Sequence, residues 1–85
     1  MNNPKPPSRL LISFLFNGVN ILVQGLSDMT IEKLIRNFKI KLCDDEIQID
    51  KYIIESTNIE LDPTSTETLS SKGITNDTRI VVLTK

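Results

Sequence analysis

Side chains of one character recur at every second position on both sides of Asn17-Gly18. This pair is the strongest short hairpin signal, because a type I′ turn needs positive φ at both central residues. A two-residue loop sets the register, so Phe16 should face Val19, Phe14 should face Ile21, and Ile12 should face Val23. All six are apolar and should share one face, since strand side chains alternate. The opposite face should carry Leu11, Ser13, Leu15, Asn20, Leu22 and Gln24, half polar yet with large leucines among them. Gly25 is expected to end the second strand or mark a bulge.

The period then lengthens. Ile31, Leu34, Ile35, Phe38 and Leu42 fall on one helical stripe, while Glu32, Lys33, Arg36, Lys39 and Lys41 take the other faces. Thr30 is a good N-cap, and Glu32 in the first turn suits the helix dipole. An acidic connection, Cys43 to Asp50, precedes a strand over Lys51 to Glu55, with Tyr52 and Ile54 on one face and Lys51, Ile53 and Glu55 on the other. A short strand should end at Leu61. Asp62 to Gly73 is rich in Pro, Ser, Thr and Gly and reads as a loop, with Leu69 and then Ile74 as apolar anchors. The last strand, Arg79 to Thr84, turns Ile80 and Val82 one way and Val81 and Leu83 the other. A hairpin, a helix and further strands predict an α+β fold in two layers, a mixed four- to five-stranded sheet with one helix packed across one face. Residues 1–9 are expected to form a flexible Pro-rich lead-in, and residues 10–85 one domain.

Charge changes this picture little. Ten basic and eleven acidic residues leave a net charge of −1, which gives no reason to expect a nucleic acid or a membrane as partner. Histidine is absent, and with it the commonest general base and metal ligand. Cys43 has no second cysteine to pair with and no base to activate it. The acidic connection lacks the glycine turn and distal glutamate of a calcium loop. No catalytic residue, metal site or cofactor is therefore expected. The run Arg9 to Phe16 lacks the cleavage site of a signal peptide, and no segment is long enough to span a membrane, so the expected location is cytoplasmic. Asn76-Asp77-Thr78 fits the glycosylation pattern but is expected to be a turn.

The order of elements resembles the ubiquitin-like β-grasp family from about Leu10 to Lys85. The residues that carry the resemblance are the hairpin, the helix entry Ser27 to Phe38 (SDMTIEKLIRNF), Lys51 to Ile54 (KYII), and Leu69 to Leu83 (LSSKGITNDTRIVVL). The resemblance implies a sheet whose first and last strands lie parallel and central. It also implies a partner-binding patch on the sheet face away from the helix, centred on Ile53 with Val81 and Leu83, extended by Leu15 and by Leu22, and rimmed by Lys51 and Lys85. The leucine that ubiquitin carries in its first turn has no counterpart in the polar Asn17-Gly18 turn. The family's two main chain-building lysines fall near Thr57 or Asn58 and at Asn76, and no diglycine follows Lys85.

These features imply a non-conjugated, non-catalytic protein-interaction module, one domain of a larger protein, whose protein partner the sequence does not identify. The alternatives are a modifier whose diglycine tail lies outside this sequence, and a self-associating architectural domain, which would make the partner a second copy in a homodimer. A further alternative places a basic patch for a GTPase or phospholipid on Lys33, Arg36, Lys39 and Lys41.

Overall fold

A computed structural model describes residues 8–43 and 46–85. The elements are β1 (Arg9–Phe16), β2 (Val19–Leu26), α1 (Ile31–Leu42), β3 (Ile49–Ile54), β4 (Ile59–Leu61), a short 3-10 turn (Ser70–Lys72) and β5 (Arg79–Thr84). The sheet has five strands in the order β2-β1-β5-β3-β4. Only β1 and β5 run parallel; the other neighbours are antiparallel. The architecture is the expected α+β one, with five strands. Met1 to Pro7 of the lead-in, and Asp44 and Asp45 of the acidic connection, lie outside the described residues. Arg9 is already in β1, and Ser8 and Ser27 exchange hydrogen bonds beside it.

Asn17 and Gly18 both take positive φ, at 50° and 78°, and the strands pair as predicted, from Phe16 with Val19 to Ile12 with Val23. Ile12, Phe14 and Val23 are buried and Ile21 packs against the core, but Val19 at the hairpin tip is 60% exposed. Gly25 differs from expectation: it neither ends β2 nor forms a bulge, but pairs regularly with Leu10 inside the strand. A Cβ there would lie 3.2 Å from Leu69 Cδ1 and 3.5 Å from Leu34 Cδ1, so the glycine lets α1 and the later loop approach the sheet closely.

Thr30 caps α1, its hydroxyl accepting from the Lys33 N–H at 3.2 Å. The long loop before β5 completes the cap: the Ile31 and Glu32 N–H groups donate to the carbonyls of Glu67 and Ser65 at 2.9 and 3.1 Å. The helix ends where Cys43 enters the left-handed region at φ 53°. Ile31, Leu34, Ile35 and Phe38 are buried against the sheet. Phe38 stacks on Phe14 with ring centroids 4.3 Å apart and meets Phe16 and Tyr52 edge-on. Leu69 and Ile74 are both buried, as expected of loop anchors.

Strand β3 begins two residues before the expected Lys51 and ends before Glu55. Its register against β5 shifts between Ile49 and Lys51, so the strict alternation breaks and Ile49, opposite Thr84, packs on the core side. The Asn76-Asp77-Thr78 segment is a turn. Asn76 Oδ1 accepts from the Leu11 N–H at 2.8 Å and the Asp77 N–H donates to the Leu11 carbonyl at 2.9 Å, which extends the β1–β5 ladder.

Candidate binding surface

The sheet face away from α1 is built by the residues that alternate with the core. Register places Leu15 beside Val81 and Val81 beside Ile53, so three apolar side chains from β1, β5 and β3 form one continuous row. Asn20 on β2 and Glu60 on β4 stand at its two ends. The three apolar side chains are half-buried, because each is flanked by its neighbours but has no layer above it. In the next row, Leu83 pairs with Lys51, and Leu83 is 42% exposed. Lys85 follows, its N–H donating to the Gln48 carbonyl at 3.1 Å, which ties the last residue to the start of β3.

Ile53, Val81, Leu83 and Leu15 are therefore contiguous, and exposed Lys51 lies beside them. On the other side of the central row come Leu22, Ser13 and Arg79, with Arg79 reaching Glu55 at 3.4 Å. Leu22 is 50% exposed and Leu11, next along β1, is 44% exposed. Leu11 extends the apolar surface beyond the predicted residues; the hairpin alternation already assigns it to this face.

The opposite side of the molecule differs in chemistry. Lys33, Arg36, Lys39 and Lys41 are exposed on α1. Arg36 pairs with Glu32 at 3.1 Å, and Lys41 Nζ donates to the Leu22 carbonyl on the free edge of β2 at 2.5 Å. Edge carbonyls capped by lysine discourage pairing with another strand. Among the described residues no group of three His, Cys, Asp or Glu side chains could hold a metal. No described helix is long and apolar enough to cross a membrane. Asp62 is held below the usual carboxylate range by the Thr64 N–H and then by the Thr64 hydroxyl, both donating to its Oδ1.

No family model and no curated protein matches this sequence. Solved structures do match it. A de novo designed protein based on ubiquitin is similar with a TM-score of 0.71 and 26% identity, over 91% of this chain and 89% of that one. The chain has the ubiquitin-like β-grasp fold. The ubiquitin-like domain of an Arabidopsis thaliana protein, determined by solution NMR, is similar in fold with a TM-score of 0.64 and 22% identity, over 91% of this chain and 78% of that one. The fold that the resemblance implied, including the central parallel pair of β1 and β5, is thus present in this chain.

Proposed function

We propose that this ubiquitin-like domain is a non-catalytic protein-interaction module that binds a protein partner through the sheet face away from α1. Ile53, Val81, Leu83 and Leu15 make the apolar contact, and Lys51 and Lys85 form a cationic rim. The observation that carries this reading is the unbroken row Leu15–Val81–Ile53 across three strands, with Leu83 beside it. A single exposed apolar residue needs no explanation, but a contiguous group on one face is what a partner would cover. Recognition here needs neither a conjugated tail nor a cofactor. The exposed thiol of Cys43 suits the reducing cytoplasm.

The test is affinity capture with the domain as bait, paired with Ile53→Asp on the sheet face and Lys33→Glu on the helix. Partners lost with Ile53→Asp and kept with Lys33→Glu support the reading. Partners kept with Ile53→Asp and lost with Lys33→Glu move the site to the helix and overturn it. A concentration-dependent dimer by light scattering, broken by Ile53→Asp, makes the occupant of the face a second copy.

A further inference from the structure

We propose that Asn17, in the β1–β2 turn, is a site of spontaneous deamidation that converts it to aspartate and isoaspartate. The step needs a backbone amide nitrogen that can reach the side-chain amide carbon of the preceding asparagine. Gly18 provides one: it has no side chain, and apart from its two chain neighbours no atom lies within 4 Å of the position its Cβ would take. Both turn residues are exposed, and among the described residues the Asn17 side chain has no hydrogen-bond partner.

No other asparagine combines these features. Asn20, Asn37 and Asn58 precede Ile21, Phe38 and Ile59, whose side chains shield the attacking nitrogen. Asn3 precedes Pro4, which has no N–H to lose. Asn2 precedes Asn3, and Asn76 precedes Asp77 and has its Oδ1 held by the Leu11 N–H.

The chemistry balances without a redox partner. Base removes the Gly18 amide proton, and the nitrogen forms a bond to Asn17 Cγ. The Cγ–Nδ2 bond breaks, and ammonia leaves with a proton from solvent. Water then opens the five-membered imide at either carbonyl. Opening at Cγ yields aspartate with the backbone unchanged; opening at the backbone carbonyl yields isoaspartate, whose chain runs through Cβ and Cγ. The sum is asparagine plus water to aspartate or isoaspartate plus ammonia.

The two products should differ structurally. Asp-Gly is itself a favoured type I′ pair, so aspartate leaves the turn in place and adds a negative charge. Isoaspartate adds a methylene to the backbone of a two-residue turn that must close Phe16 against Val19. Register gives the added charge a setting. The turn directly follows Phe16 at the end of β1, two residues beyond Leu15, which pairs with Val81 of the open face. A carboxylate there changes the rim of the face proposed above; this last consequence alone rests on that reading.

The test is to incubate the full chain, folded, in mildly alkaline buffer and follow each asparagine by peptide mass spectrometry, with isoaspartyl methyltransferase marking the isomer. Asn17 should gain the mass of the amide-to-acid change several-fold faster than any of the other asparagines, and Gly18→Ala should slow it. An opened turn would expose the site more, so slowing in that variant cannot come from misfolding. Conversion of Asn17 no faster than that of Asn20 or Asn58 in the same wild-type sample overturns the proposal. The two products, separated by ion exchange, sharpen it: the aspartate form should match Asn17→Asp in melting temperature, and the isoaspartate form should melt lower. Equal melting of both forms would overturn the turn-closure argument. The mass readout involves no partner, so failure of the docking reading leaves it untouched.

Discussion

The two faces of the sheet are made by the same strands and nearly the same kind of residue. On one, Ile12, Phe14, Tyr52, Ile54, Ile80 and Val82 are buried. On the other, Leu15, Ile53 and Val81 stand in register beside Leu83 and remain partly open. Hydrophobicity does not separate them. The cover does: α1 and the loop anchors Leu69 and Ile74 close the first face, and no described residue closes the second. An apolar side chain contributes to stability through the area a second layer removes from water. The same residue type therefore holds the fold together on one face and remains partly open to solvent on the other.

The largest expected effect comes from breaking the covered face. Phe14→Ala removes the ring that stacks on Phe38 and should lose about 3–5 kcal/mol in denaturant unfolding. A loss under about 1 kcal/mol would mean that the aromatic cluster does not centre the core.

Overfilling the same face comes next. Gly25→Val must displace the methyl groups of Leu69 and Leu34 and should destabilise the domain by about 1–3 kcal/mol, measured in the same way. Full stability in this variant would show that the helix and loop do not need their close approach to β2.

A smaller effect sharpens the comparison from the other direction. Tyr52 is buried, and its hydroxyl has no hydrogen-bond partner among the described residues. Tyr52→Phe should leave stability unchanged or raise it by up to about 1 kcal/mol, since the removed group is a buried polar atom without compensation. Burial also pushes the Tyr52 phenol from 10.0 up to about 12. Between those values the unfolded chain has lost the phenolic proton while the folded chain keeps it. This group therefore leaves stability unaffected below pH 10 and lowers it as pH rises from 10 towards 12. The chain has one tyrosine and no tryptophan, so ultraviolet titration reports Tyr52 alone; an ionisation near pH 10 in the folded protein would refute its desolvation.

The smallest stability effect belongs to the open face. Ile53→Asp should shift unfolding by less than about 1 kcal/mol while removing partner binding. Unfolding of this variant would mean that the open face is a second core surface.

Much of this contrast was legible in the sequence. Alternation about Asn17-Gly18 set which hairpin residues share a face, and the stripe Ile31 to Phe38 identified the covering helix. The same alternation put Ile53, Val81, Leu83 and Leu15 on the side away from it. Three features were not legible. Val19 belongs to the core face by alternation yet is left open at the hairpin tip, because burial depends on where the helix lies. Ile49 reaches the core through a register shift that no period-two pattern contains. Gly25 reads as a breaker in a local pattern, but its reason lies in Leu69 and Leu34, far along the chain.

The elements, the turn and most of their faces are written in the sequence, since these follow from backbone geometry and side-chain spacing over a few residues. Spacing along the chain does not order the strands: the resemblance implied a central parallel β1–β5 pair, and the assembled sheet sets β5 between β1 and β3, where Leu15, Val81 and Ile53 meet in one row. That juxtaposition joins residues distant in sequence through a parallel pairing. Its free energy comes from closing the sheet under one helix, a property of the assembled layers and of no single segment.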